Sequence, residues 1–392
     1  MTNNFCILPW IGIETSPLGN IRPCCLNNEN IHENNIDLEL KNTSLTDAFN
    51  SSYMKKLRQD FIDGNKPASC QRCWDEEDSG RVSKRQNSWA RLNTYVKDID
   101  FTNVDSGKLM FLDLKLGNIC NLKCRICGSF SSSKWAQEEI NIYTDNEKAK
   151  ENLKNGRWPR ESEKFWQDLK QIISQTRYME FTGGEPFLIE EHFELLEFAV
   201  EQGLAKDIEL HYNTNGTQFP KIGLELWPHF KKVEIALSID DIGPRFEYQR
   251  YGAKWNDVMR NLDKFYNLRE TSNNIVLQLC MTSNVQNFYY IDEMCDWISK
   301  QKFDSVYFNV LHDAWYFNIG RLNAQAKDMI NKKLKNYNGP YDYEVKNLLE
   351  FMENGEDSDC SMLRVMLKNS DEQRKQKFSD HHPEIAAAIG YE

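Results

Sequence analysis

The sequence has no surplus of positive charge. Its 48 Lys and Arg stand against 59 Asp and Glu, a formal net charge of −11 with neutral histidines. A chain that binds long nucleic acids mainly through their phosphates needs a concentrated basic face, so the balance argues against that partner and leaves room only for a local basic pocket. No stretch approaches the ~18 consecutive apolar residues of a membrane span. The start, Met1 to Ile13, has no basic stretch ahead of an apolar one, so no secretory signal is legible. Together these absences predict a cytoplasmic protein without a membrane partner. No internal repeat is visible. What is present excludes disorder: 40% of the residues are hydrophobic and 12% aromatic. The 392 residues, at ~150 per domain, predict two or three domains with ample core.

Eleven cysteines are unevenly spread. Eight form three groups: Cys6 with Cys24 and Cys25, then Cys70 with Cys73, then Cys120, Cys124 and Cys127. Cys280, Cys295 and Cys360 stand alone. A disulfide framework belongs to small secreted domains, whereas clustered thiols in a long chain without a signal point to metal.

From Lys108 onward, short apolar segments alternate with longer helical patterns. The expected strands are Lys108 to Leu116, Tyr178 to Pro186 ending in a glycine turn, Ile208 to Gly216, Val233 to Asp240, Ile275 to Thr282 and Val306 to His312. Parallel neighbours need crossover connections, so this alternation predicts an α/β fold with ligands at the strands' C-terminal ends. Periodicity alone leaves an open doubly wound sheet and an incomplete barrel both standing. Residues 1–107 lack the rhythm and form an irregular module, 108–320 the α/β core, and 321–392 a helical extension whose end is a helix or a loosely held tail.

Cys120-Asn-Leu-Lys-Cys124-Arg-Ile-Cys127 directly follows the first of these strands. Three thiolates in eight residues can hold three corners of a [4Fe–4S] cube and leave one iron open. Zinc, with a water as fourth ligand, is the competing metal. The segment CNLKCRIC resembles the signature of the radical S-adenosylmethionine (SAM) superfamily, and further pieces occur in that family's order. Phe181 to Pro186 (FTGGEP) resembles its glycine-rich motif after the second strand. Asn213 to Gly216 (NTNG) ends the third strand and Leu237 to Asp240 (LSID) the fourth, with Arg250 twelve residues beyond Ser238. Ile126 departs from the pattern, which has an aromatic residue there.

The resemblance implies a partial (β/α)6 TIM-like barrel and a SAM molecule chelated at the open iron of a cluster on Cys120, Cys124 and Cys127. It implies that Gly183, Gly184 and Glu185 meet the SAM amino group with Thr182 beside them, that Asn215 and Ser238 bond the ribose hydroxyls, and that Arg250 pairs with the SAM carboxylate. A flavodoxin or ferredoxin would supply the electron.

Cys6, Gly19, Cys24 and the pair Cys70-x2-Cys73 resemble the auxiliary-cluster module called SPASM, or twitch when shortened. Cys6, Cys24, Cys70 and Cys73 would then ligate a second [4Fe–4S] cluster, with Cys25 as the alternative to Cys24. A zinc ion on the same four thiolates is the competing reading. The module precedes the core, whereas in the relatives that carry the resemblance it follows it.

Other residues read more plainly. Cys280 packs in its strand or donates a hydrogen atom to a substrate radical, and Cys295 and Cys360 fall in helical patterns. His312 and Asp313 close the last strand. Trp315, Tyr316 and Phe317 line the pocket mouth or pack. Lys123 and Arg125 offset cluster charge, guide an acidic electron donor, or are simply solvated. The function expected is radical chemistry on a peptide or protein, with small-molecule or nucleotide substrates and a non-enzymatic iron–sulfur protein as alternatives.

Overall fold

The computed structural model describes residues 4–78, 80, 82–142 and 146–391. Its strands are β1 (Gly12–Thr15), β2 (Ile21–Arg22), β3 (His32–Glu33), β4 (Ile36–Asp37), β5 (Phe111–Lys115), β6 (Tyr178–Thr182), β7 (Glu209–Thr214), β8 (Lys232–Ser238), β9 (Ile275–Ser283) and β10 (Ser305–Val310). From β5 on, strands and helices alternate as a partial (β/α)6 TIM-like barrel requires. All six expected strands are present. Spatial contacts divide the chain into two compact units, whose limits differ from the sequence segments 1–107, 108–320 and 321–392. The first unit is Met1–Cys120, Ser129–Asn213 and Pro220–Glu234; the second is Asn121–Gly128, Thr214–Phe219 and Ile235–Glu392.

In the first unit the strand order is β2-β1-β5-β6-β7. β1 pairs in parallel with β5, from Gly12 opposite Phe111 to Thr15 opposite Leu114, and antiparallel with β2. β5, β6 and β7 continue in parallel. The irregular N-terminal module therefore contributes two strands to this sheet, which its sequence did not announce. β1 is four residues long, and its buried Glu14 breaks an apolar run. Arg22 makes that burial possible through two short hydrogen bonds at 2.6 and 2.7 Å, with Lys115 as a second partner. Aromatic rings fill the core, with Phe111 stacked on Tyr178 at 4.9 Å and Phe181 on Tyr212 at 5.2 Å.

In the second unit the order is β8-β9-β10, and β10 pairs in parallel with β9. Along β9 the burial alternates strictly, Ile275, Leu277, Leu279, Met281 and Ser283 facing one way, as a strand's two-residue period demands. Cys280 faces the other way. Helix Trp255–Thr271 buries Val258, Leu262 and Phe265. The extension beyond Arg321 is helical as expected: Ala324–Leu334, Asp342–Glu353, Ser361–Arg374, Phe378–His381 and Pro383–Ala388. Its end is held firmly, with Ile385, Ala386, Ile389 and Tyr391 all buried. No helix among the described residues is long and apolar enough to cross a membrane.

Candidate active site

In the first unit, four cysteines far apart in sequence line one cavity: Cys6, Cys24, Cys70 and Cys73, together with Leu8, Leu26, Phe61 and the bases Lys84 and Arg85. Local structure explains the spacing. Cys70 closes the 3-10 turn Ala68–Cys70 and Cys73 lies in the first turn of helix Gln71–Asp78, so the C-x2-C pair projects from one helical start. Asn27 Nδ2 donates to Cys70 Sγ at 3.7 Å. Burial pushes all four thiols up, Cys70 to about 12, and at Cys6 the other three add to the rise. Cys25 points elsewhere, accepting from Lys84 Nζ at 2.8 Å. The cavity therefore holds Cys24, and Cys25 lies outside it. Among the described residues no group of three or more His, Cys, Asp and Glu is gathered tightly enough for a single metal ion. Gly19 has φ +89°, and a Cβ there would meet the ring of Trp158 at 3.6 Å.

The same unit carries Cys120 and the glycine turn. Gly184 N donates to Gly117 O at 3.0 Å and Glu185 N to Ile119 O at 2.8 Å, so the turn docks directly on the chain entering the cysteine segment. Its two glycines are required by that approach. Gly183 has φ +111°, and a Cβ there would stand 2.7 Å from Gly117 O; a Cβ on Gly184 would stand 2.2 Å from Ile119 O. Both obstacles are backbone, which cannot swing aside. Gly184→Ala is expected to cost about 1–3 kcal/mol of stability, measured by urea unfolding, and an unchanged midpoint would show that the two loops separate in solution. Glu185 is buried and accepts from Phe187 N at 3.2 Å. Thr182 Oγ1 is buried without a hydrogen-bond partner, the condition of a hydroxyl that a ligand completes.

In the second unit the segment Asn121–Gly128 is pinned by two stretches of chain. Asn215 Nδ2 donates to Asn121 Oδ1 at 3.0 Å, and Asn121 Nδ2 donates to Thr217 Oγ1 at 2.8 Å. Lys123 N donates to Tyr251 O at 2.9 Å and Arg125 N to Gln249 O at 2.8 Å. This ladder sets Cys124 opposite Arg250. Cys127 N donates to Cys124 O at 3.0 Å. The Cys127 hydrogen bond pulls the Cys124 thiol below its ordinary range, and Arg250 and Arg374 act the same way against burial. Arg250 is buried and grips Asp240 Oδ2 through Nε at 2.9 Å and Nη2 at 2.7 Å. Burial disfavours the guanidinium charge, but Asp240, Cys124 and Cys127 more than offset it. Asp240 also accepts from Gln249 Nε2 and from Thr282 N, both at 2.9 Å. Ser238 ends β8, half-buried, two residues before that carboxylate.

The family model described as the radical SAM superfamily matches residues 114–279, and the one described as an iron–sulfur cluster-binding domain, SPASM, matches residues 6–74. This chain contains a radical SAM domain. Its SPASM domain lies at the N-terminus, as the cysteine spacing implied, and [4Fe–4S] clusters and SAM are the cofactors of the two domains. No curated protein matches the sequence. Among solved structures, anSMEcpe with bound AdoMet and Cp18Cys peptide matches at 13% identity over 67% of this chain and 60% of that one, TM-score 0.35. Streptococcus suis SuiB bound to precursor peptide SuiA matches at 14% identity over 73% and 68%, TM-score 0.36. The radical SAM chain thus spans less than two thirds of the length of anSMEcpe. The residues fit the groups the family takes: in the first unit, four thiols around one cavity for the SPASM cluster and an orphaned hydroxyl at the end of β6; in the second, a buried arginine beside the Cys124 thiol.

Sequence reasoning overlooked several contributors. Asn121 and Thr217 lie inside or beside quoted motifs, and Asp240 is the last residue of LSID, yet none of the three was given a role of its own. Arg125 is no solvated charge: it is 3% exposed. Cys280 is half-buried, and burial raises its thiol to about 11. Cys295 and Cys360 are buried. His312 and Asp313 are exposed, and Trp315 is exposed while Phe317 packs inside.

Proposed function

We propose that this protein is a radical SAM enzyme that abstracts a hydrogen atom from a peptide or protein, in the cytoplasm and with a flavodoxin- or ferredoxin-type electron donor. The observation that carries the reading is the arrangement around Cys124: a cysteine segment laid against Gln249–Tyr251, so that a buried Arg250–Asp240 pair stands beside the thiols. Cys120, Cys124 and Cys127 would hold the cluster, leaving one iron for the amino and carboxylate groups of SAM. Held there and given one electron, the cluster and SAM would supply reductive cleavage of the sulfonium and the hydrogen-atom abstraction that follows from it.

The chain's own residues do the positioning. Gly183 and Gly184 bring backbone close, Glu185 offers a carboxylate to an ammonium, and Thr182 offers its unpartnered hydroxyl. Asn215 and Ser238 would bond ribose, and Asn215 also ties the cysteine segment through Asn121. Arg250, preset by Asp240, would meet the SAM carboxylate. In the SPASM domain, Cys6, Cys24, Cys70 and Cys73 would hold a cluster with no open iron, which suits electron relay or support. A peptide substrate is favoured by the SPASM domain and by β10, a six-residue strand that ends its sheet order and so offers a backbone edge to an extended chain.

The test is anaerobic reconstitution followed by SAM and dithionite. About eight irons per chain and formation of 5′-deoxyadenosine are expected. Fully loaded protein that leaves SAM intact would overturn the reading, and about four irons would remove the second cluster.

A further inference from the structure

The helix Ser361–Arg374 and the chain after it lie outside both family matches, yet they hold the residue between the cluster cysteines. Arg125 is a buried cation. Its Nη2 lies 2.7 Å from Asp371 Oδ1 and donates to Gln376 Oε1 at 2.9 Å, its Nε donates to Tyr248 O at 3.0 Å, and its guanidinium lies 3.6 Å from the Tyr248 ring centroid. Asp371 is a hub. Besides Arg125 it accepts from Tyr248 Oη at 2.8 Å, from Phe378 N at 2.6 Å and from Tyr391 Oη at 2.5 Å. A left-handed turn at Lys375, φ +52°, reverses the chain so that Gln376 N returns to the backbone oxygen of Asp371 and Phe378 N to its carboxylate. Three residues further along the helix from Asp371, Arg374 sets its guanidinium over the ring of Tyr251 at 4.9 Å, and the backbone oxygen of Tyr251 holds Lys123. The segment thus grips the cysteine loop at two points.

We propose that residues 361–391 are a strap that positions the cluster-binding loop, with Asp371 as the positioning residue through Arg125 and Arg374 bringing a second buried cation toward Cys124. The strap fixes the loop before any cluster is present, because every contact named is between side chains and backbone of this chain. A preformed loop spares the cluster the entropy of ordering its ligands. A buried cation held by a carboxylate stays in place, whereas one whose partner is removed is driven toward water. The role of the strap at the cluster rests on the functional reading above; its grip on the loop does not.

The experiment compares the wild type, Asp371→Asn and Tyr391→Phe in the full chain. Hydrogen exchange of the Lys123 and Arg125 amides in cluster-free protein is the first readout. Asp371→Asn should speed both about tenfold or more, with β6 amides unchanged, and Tyr391→Phe, which removes one donor and leaves the charge, should give a smaller rise. In reconstituted protein the same variants should lose iron faster to a chelator in the same order, and the double variant Arg125→Met/Asp371→Asn should exchange more slowly than Asp371→Asn alone, since no buried charge is then left without its carboxylate while the amide oxygen still accepts from Phe378 N. Unchanged exchange of both amides in Asp371→Asn would overturn the strap. Wild-type protein without iron at the cysteine triplet would instead overturn the functional reading, with the exchange result still deciding the grip. If Asp371→Asn fails to fold, Tyr391→Phe alone decides: faster loop exchange supports the strap and none refutes it.

Discussion

Cys124→Ala is expected to abolish 5′-deoxyadenosine formation and to lower iron from about eight to about four atoms per chain. Cys124 is the central member of its triplet, 7% exposed, and held opposite Arg250 by two backbone hydrogen bonds on either side of it. Its thiol is already biased toward the thiolate by Cys127, Arg250 and Arg374, the form that ligates metal. An alanine removes one of three corners of a cube that has no protein ligand to spare, so the loss should be complete, with no activity above background. The SPASM cavity lies on other cysteines and should keep its four irons. Cys295→Ala, at a buried helix position, is the control and should leave iron and product unchanged. Anaerobic iron analysis and chromatography of the SAM reaction check all three. Retention of eight irons in Cys124→Ala would mean that the triplet is no cluster site.

How much of this was legible in sequence depended on whether a residue's partner was near it in the chain. The six core strands and the two families' motifs are local patterns, and the strands and the family matches agree with them. Cys24 lines the cavity with Cys6, Cys70 and Cys73. What stayed hidden depends on long-range partners. Arg125 looked like a loop charge because its carboxylate is at position 371, and β1 looked irregular because the strand that completes it begins at Phe111. The glycines were read as space for a ligand, yet their nearest neighbours are the backbone oxygens of Gly117 and Ile119. A motif can thus serve its own scaffold and a cofactor at once, and only the fold displays the first role.

The same double duty makes Asp240→Asn the most damaging single change expected outside the cysteines. Asp240 is 1% exposed and Arg250 8%, so the pair is buried, and the carboxylate has two further demands, Gln249 Nε2 and Thr282 N. An asparagine keeps the shape but removes the charge and turns a donor toward Arg250. Leaving one partner of a buried pair uncompensated costs about 3–5 kcal/mol, read as a lower urea midpoint with little change in slope. Stability and chemistry can then be separated. Replacing both partners, Asp240→Asn with Arg250→Met, should recover part of the stability, because no charge is then buried alone and the amide oxygen still accepts from Thr282 N. It should still fail to cleave SAM, because no guanidinium remains for the SAM carboxylate. A double variant that is both stable and fully active would leave Arg250 with a structural task only. An Asp240→Asn cost below about 1 kcal/mol, the range of a solvent-exposed pair, would mean that the two side chains meet water in solution.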